Sequence, residues 1–137
     1  MAGGYVLEKL KEIGDQFLDC LVIVDVDAPG RPCLYVNEKF TNLTGYSREE
    51  LLNKNLAMLQ NGKTPAHITN FLRHRFKKKE ACLQDLINYK KDGTPFLNRA
   101  VMIPFLSTSG KTLYLGIQND ISRKLDALGN DKLQKVQ

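Results

Sequence analysis

The stretch CLQDLINYKKDGTPFLNRAV, from Cys82 to Val101, decides the fold. Upstream of it the apolar residues recur at helical spacing; from Cys82 the period changes to two, the repeat of a half-buried strand. Asp92-Gly93 interrupts that pattern with residues that favour a tight hairpin turn. Ser109-Gly110 interrupts it again further on. Three antiparallel strands are therefore expected, at 82–90, 94–104 and 111–119.

These strands carry an oddity. Asparagine is disfavoured in strand interiors, yet Asn88 and Asn98 lie inside two of them. Alternation puts Leu86 and Asn88 on one face, Phe96, Asn98 and Ala100 on one face of the next strand, and Tyr114, Gly116 and Gln118 on one face of the last. If these faces coincide, two asparagines and a glutamine point into an apolar pocket. A buried amide without a partner costs ~1–3 kcal/mol. Two arrangements meet that demand: the amides pair with one another or with loop backbone, or they hold a planar polar ligand. Gly116 leaves room for such a ligand close to the sheet.

Toward the N-terminus, Val6, Leu10, Ile13 and Phe17 recur at helical spacing and predict an amphipathic helix over 5–17. Leu21-Val22-Ile23-Val24 and Cys33-Leu34-Tyr35-Val36 predict two strands joined by the turn Asp27-Ala28-Pro29-Gly30. Ser47-x-x-Glu50 has the form of a capping box, so a helix is expected from there to about Lys54. Thr64-Pro65 predicts another helix start, with threonine as cap, and Ile68, Phe71, Leu72 and Phe76 give that helix an apolar face. Two strands, helices, then three strands is an α+β order: a five-stranded antiparallel sheet with helices on one face. The tail from Ile121 to Gln137 is amphipathic, interrupted by Gly129-Asn130, and is expected to pack on the sheet or against a second copy.

Between the capping box and the strands lies Asn53-Lys54-Asn55-Leu56-Ala57-Met58-Leu59-Gln60, following Thr44-Gly45-Tyr46-Ser47-Arg48-Glu49-Glu50-Leu51-Leu52. Together with Leu86-Ile87-Asn88-Tyr89-Lys90-Lys91-Asp92-Gly93, these segments resemble a LOV domain, the flavin-binding, blue-light-sensing branch of the PAS family. The resemblance covers about Leu21 to Asp120. It implies a PAS/LOV core at 21–120, flanked by an N-terminal helix at 1–20 and a C-terminal helix or tail at 121–137. It further implies flavin mononucleotide (FMN) as cofactor, with riboflavin or FAD as variants. By position, Asn55, Gln60, Asn88, Asn98 and Gln118 match residues that hold the flavin's polar atoms. Arg73 matches a phosphate-binding arginine, Asn37 a polar residue near the ring, and Gly116 lies where the ring approaches the sheet.

The departures are as informative. The family's motif reads Gly-x-Asn-Cys-Arg-Phe-Leu-Gln, and its cysteine forms a light-driven bond to the flavin. Here Leu56 stands at the cysteine and Ala57 at the following arginine. Met58 replaces a pocket phenylalanine, Leu97 a tryptophan, and Asn61 a glycine. Leucine offers no nucleophile, so adduct chemistry is not expected at this position. A lost charge-assisted hydrogen bond costs ~1.5–3 kcal/mol, which predicts weakened FMN binding. Arg75 and Lys77 are candidates to compensate, and riboflavin, lacking phosphate, is penalised less.

Bulk properties narrow the remaining classes. The 137 residues suit one domain, and 42% hydrophobic content is ordinary for a globular protein. No apolar run approaches the ~18–20 residues of a membrane span, and Met1-Ala2-Gly3-Gly4 has no signal pattern, so a cytoplasmic protein without membrane partners is expected. The net charge is +5, and Arg73 to Lys79 holds much of the excess. That cluster reads as a solvated helix end, and no nucleic-acid-binding motif accompanies it. Cys20, Cys33 and Cys82 are spread out and unpaired, which argues against a zinc site or a disulfide framework. His67 and His74 have no nucleophile or acid partner in view, so catalysis is not expected. The reading is a cysteine-less LOV-like sensory domain that signals through flavin photoreduction, with Gln118 passing a change at the ring to the tail. The alternative is a cofactor-free PAS-type interaction module. Either way a homodimer through the sheet and flanking helices is expected.

Overall fold

Residues 4–123 are described by a computed structural model. Five strands run Cys20–Val24 (β1), Cys33–Val36 (β2), Cys82–Tyr89 (β3), Pro95–Leu106 (β4) and Thr112–Asp120 (β5). They form one sheet in the order β2-β1-β5-β4-β3, with every neighbouring pair antiparallel. Among the described residues the α-helices are Gly4–Ile13 (α1), Glu38–Thr44 (α2), Arg48–Leu51 (α3) and Ala66–Lys78 (α4), which make the architecture α+β.

The sheet is covered differently on its two faces. Val22 and Phe40 gather with Val36, Leu51 and Leu59 in one apolar cluster, so α2, α3 and the 56–60 segment cover the inner face of β1 and β2. Ile68 of α4 packs on Leu86 and Ala100 further across that face. On the outer face, Leu7 of α1 packs with Leu21, Ile23, Tyr35 and Leu113. This explains the unbroken apolar run of β1: residues of both parities are buried, because helices lie on both sides.

α1 is shorter than the 5–17 pattern predicts. Gly14 begins a short 3-10 turn, and a Cβ there would fall 1.7 Å from the Tyr35 hydroxyl oxygen. The chain therefore leaves the helix where it passes the tyrosine, and Leu18 ends up exposed.

The helices of the middle segment follow their caps. α2, absent from the sequence reading, starts at Asn37, whose side chain accepts from Phe40 N–H. The capping box before α3 is present as expected: Ser47 Oγ accepts from Glu50 N–H (3.2 Å) and Ser47 N–H donates to Glu50 Oε1 (3.0 Å). α3 stops at Leu51 rather than near Lys54. Beyond it the backbone bonds to β2, with Asn53 N–H donating to Cys33 O and Cys33 N–H to Lys54 O, both 2.8 Å. Thr64 is not the cap of α4. The cap position is Pro65, and Thr64 Oγ1 is buried with no hydrogen-bond partner among the described residues.

The three C-terminal strands match their expected ranges within two residues at each end. Leu86 pairs with Asn98 and Asn88 with Phe96 across β3–β4, and Ala100 pairs with Gln118 across β4–β5. Beyond β5 the chain turns onto β4: Ile121 N–H donates to Leu97 O, and Leu97 N–H to Ser122 Oγ. The expected tail lies outside the described residues from 124 onward. No described helix is long and apolar enough to cross a membrane.

Candidate functional site

A cavity of about 300 Å³ lies between the inner face of the sheet, the 55–60 turn and α4. That volume is at the lower end of the range for small-molecule sites. Its walls are apolar, with Val22, Val24, Phe40, Leu72, Leu86 and Met102 among them, and Asn88, Asn98 and Gln118 enter from β3, β4 and β5.

The three amides are buried, at 5%, 2% and 7% exposure, so each polar atom must find a partner or weaken the fold. Asn98 Nδ2 donates to Asn88 Oδ1 (2.9 Å) and to Gln118 Oε1. The amides thus pair with one another, but incompletely. Asn98 Oδ1 is buried and has no partner among the described residues. Among the described residues Gln118 Nε2 reaches only the Met102 sulfur at 3.9 Å, and Asn88 Nδ2 only the Ile87 carbonyl at 3.4 Å, a long and weak contact. The cluster therefore retains one strong acceptor and two underused donors beside the cavity.

Gly116 lies between these groups on β5. A Cβ there would come within 2.6 Å of Val22 Cγ2, 2.9 Å of Gln118 Nε2 and 3.0 Å of the Met102 sulfur. The missing side chain lets Val22, Met102 and Gln118 converge on one spot of the cavity floor.

The facing wall is a 3-10 turn, Leu56–Gln60, capped by Asn55, whose Oδ1 accepts from Ala57 N–H (2.9 Å). Asn55, Leu56, Ala57 and Gln60 all line the cavity. The turn closes at Asn61 in the left-handed region (φ 55°), a conformation asparagine tolerates better than most residues. That accounts for Asn61 in the place of a glycine.

Arg73 of α4 also lines the cavity, and its Nη1 donates to Asn70 Oδ1 (3.1 Å). The structure thus brings Asn55, Leu56, Gln60, Arg73, Asn88, Asn98 and Gln118 to one cavity; Gly116 does not line it but lies beneath Val22, Met102 and Gln118, which do. It does not bring Asn37 there. Asn37 is fully buried, with Oδ1 accepting from Leu21 N–H and Phe40 N–H and Nδ2 donating to the Gly14 and Asp19 carbonyls. Its capacity is spent on tying α2 to the chain before β1. Nor do Arg75 and Lys77 line the cavity. Arg75 bonds Glu80 Oε2 at 2.6 Å and stacks over Phe71. Met58 is 38% exposed, and Leu97 packs on the outer face with Ile87 and Ile121.

One lining residue escapes sequence reasoning. Arg31, in the loop between β1 and β2, reaches the cavity with its guanidinium over the Phe76 ring, 5.4 Å from the centroid. The only local hint is its place after Pro29-Gly30 in a hairpin turn; what it faces depends on Phe76 of α4, more than forty positions away. The three cysteines are free, and none lines the cavity. Burial pushes the thiols of Cys20 and Cys33 up to about 11.

Comparison with known proteins sets these observations in a family. The family model described as PAS domain matches residues 18–123. The chain is 31% identical over 119 residues to phototropin-1A of Oryza sativa subsp. japonica, covering 86% of this chain and 13% of that protein. It is 30% identical to the solved LOV domain of the Erythrobacter litoralis EL346 blue-light activated histidine kinase, with a TM-score of 0.72, covering 77% of this chain and 98% of that one. It is 26% identical, with a TM-score of 0.80, to an RNA-binding light-oxygen-voltage receptor, covering 95% of this chain and 39% of that one.

Proposed function

The chain belongs to the PAS family and is a LOV domain, and we propose on that premise that it binds a flavin and senses light or redox state without a thiol adduct at position 56. The observation that carries this reading is Asn98 Oδ1, unpartnered among the described residues and buried at 2% exposure in a cavity wall beside the underused Gln118 and Asn88 amide nitrogens. The pyrimidine edge of a flavin alternates carbonyl acceptors with an N–H donor, and this amide set complements it. FMN is the species that a phosphate-binding Arg73 favours.

The residues would share the task as follows. Asn88, Asn98 and Gln118 hold the polar edge, and Asn55 and Gln60 serve from the 3-10 turn. Gly116 lets Val22, Met102 and Gln118 settle close to the sheet, while Val22, Phe40, Leu72 and Leu56 exclude water. A bound flavin supplies a visible chromophore and one- or two-electron redox chemistry. Leu56 presents methyl groups where a cysteine would present sulfur, so the response must run through hydrogen bonding. Gln118 is suited to that: its Nε2 makes only a weak sulfur contact among the described residues while its Oε1 accepts from Asn98 Nδ2, so a turn of the amide exchanges donor and acceptor at that bond. β5 leads from Gln118 to Asp120 and on to Ile121, which is bonded to β4. A rotation at Gln118 therefore acts on the strand that carries the C-terminal flank, a local switch with a distant readout. In this reading residues 21–120 are the sensory core and the flanks carry output.

Titration of the purified protein with FMN tests the proposal. Binding should give a structured visible spectrum distinct from free flavin, bleached by blue light only when a reductant is present. Absence of any bound spectrum at saturating flavin would overturn it. A second reading has its own support: Leu83 and Ile103 are 55% and 40% exposed on the outer face of β3 and β4. That patch favours an interaction module whose sheet meets a second copy, and light scattering across concentration tests it.

A further inference from the structure

Two cations line the cavity without an acidic partner. Among the described residues neither Arg31 nor Arg73 reaches a carboxylate, although acidic groups stand close to Arg31 in sequence. The reason lies in the loop itself. Asp25 Oδ1 accepts from Asp27 N–H and Ala28 N–H, both 3.1 Å, and its other oxygen is held by Lys111. Asp27 is engaged by Lys79 at 3.5 Å. Both loop carboxylates are thus occupied by lysines, and Arg31 is left with the face of Phe76.

The placement of Arg31 is built rather than incidental. Its backbone is in the left-handed region (φ 46°), a conformation that is uncommon for a residue with a long side chain. The turn is fixed by Arg31 N–H donating to Ala28 O (3.0 Å) and Asp25 N–H to Pro32 O (3.1 Å). Phe76, on which the guanidinium rests, is one helical turn after Arg73 on α4, so both arginines lie against the same segment of that helix. Ala57, also in the lining, stands where the family motif supplies a cation from the 3-10 turn. The charge missing there is present on the hairpin loop instead.

We propose that Arg31 and Arg73 form a two-guanidinium clamp for a phosphomonoester, so that the cavity takes a flavin with a terminal phosphate over the same ring without one. The proposal rests on the flavin reading above. Guanidinium presents paired N–H donors that match phosphate oxygens. The phosphate dianion dominates above its second pKa of roughly 6, so the preference should weaken as pH falls through that value.

Parallel titrations with FMN and riboflavin, followed by flavin fluorescence, test the clamp on wild type, Arg31→Asn and Arg73→Gln. Asparagine is chosen at 31 because it accepts a positive φ. FMN should bind at least roughly tenfold more tightly than riboflavin, and each variant should lose roughly tenfold for FMN. Riboflavin affinity should stay within about twofold, since no phosphate is involved. Equal affinity for both flavins in the wild type overturns the clamp and leaves the flavin reading standing. Parallel losses for both flavins in Arg31→Asn also overturn it, by showing that Arg31 acts through Phe76 packing. Binding of neither flavin overturns the flavin reading and the clamp with it. Should a variant fail to fold, salt decides on the wild type: FMN affinity falls with ionic strength and riboflavin affinity does not, or the clamp is wrong.

Discussion

Cys20 and Gln118 face one another as partners across the β1–β5 ladder. The cysteine packs against the apolar cluster that Leu56 also joins, so a thiol sits one strand away from the amide proposed to read the flavin. Burial, reinforced by the charge of Asp19, pushes that thiol up to about 11, and burial does the same at Cys33.

Alkylation should report those shifts. At neutral pH both thiols are protonated, and the thiolate is the reactive form. The iodoacetamide rate at Cys20 and Cys33, measured by peptide mass spectrometry, should climb about tenfold per pH unit and continue to climb past pH 9. A plateau near the ordinary value of 9.0 contradicts the burial argument. Stability follows the same sign. The unfolded thiols ionise near 9.0 and the folded ones near 11, so the contribution is full below 9 and is lost as pH rises through 11.

Gly116→Ala should damage the cavity floor. The new methyl meets Val22 Cγ2 at 2.6 Å, and neither it nor the Met102 sulfur at 3.0 Å is free to retreat far in a packed strand pair. A cost of about 1–3 kcal/mol in urea unfolding is expected. Gln118 Nε2 would also be displaced, so flavin affinity should fall further than stability explains. Val22→Ala in the same chain should recover part of the stability; if it recovers none, the crowding lies elsewhere.

How much of this is legible in the sequence depends on the range of each interaction. The three C-terminal strands are, because the period-two pattern and the Asp92-Gly93 and Ser109-Gly110 turns are local signals. The capping box of α3 is legible for the same reason: Ser47 and Glu50 are three residues apart. α2 is not, since its seven residues bury only Phe40 and Thr44, too few to establish a period. Asn37 shows the limit of positional matching, because only the fold reveals that all its bonds go to backbone. Arg31 is the opposite case. A turn residue becomes a cavity residue only when β2 returns and α4 brings Phe76 beneath it.

Lys111→Met should loosen the loop that carries Arg31. Lys111 neutralises Asp25, whose side chain is 3% exposed, and removing one member of a buried pair leaves an uncompensated charge. Asp25 keeps its two backbone donors, so a loss of about 1–3 kcal/mol is expected rather than the full buried-pair penalty. Asp25→Asn in the same chain should restore much of it, because the amide oxygen still accepts from Asp27 and Ala28 while carrying no charge. Hydrogen exchange at Ala28 and Arg31 would report the loop separately: faster exchange in Lys111→Met with an unchanged rate in β4 is the expected pattern.

Leu56→Cys tests whether position 56 faces the reactive part of a bound flavin. Leu56 lines the cavity from the first position of the 3-10 turn, and Asn55 fixes that turn through its bond to Ala57 N–H. The substitution removes volume from a partly buried site that packs on the Phe40 and Leu59 cluster, so a loss of about 1 kcal/mol or less is expected. With FMN loaded, the variant should bleach under blue light without added reductant and recover in the dark, whereas the wild type should need a reductant. The sulfur would add to the ring carbon beside N5 and its proton would pass to that nitrogen, so no outside electron donor is required. A variant that binds FMN yet bleaches no differently from wild type would place residue 56 away from the ring. The assignment of the 55–60 turn as the flavin-facing wall would then fail, even with the amide cluster still holding the cofactor.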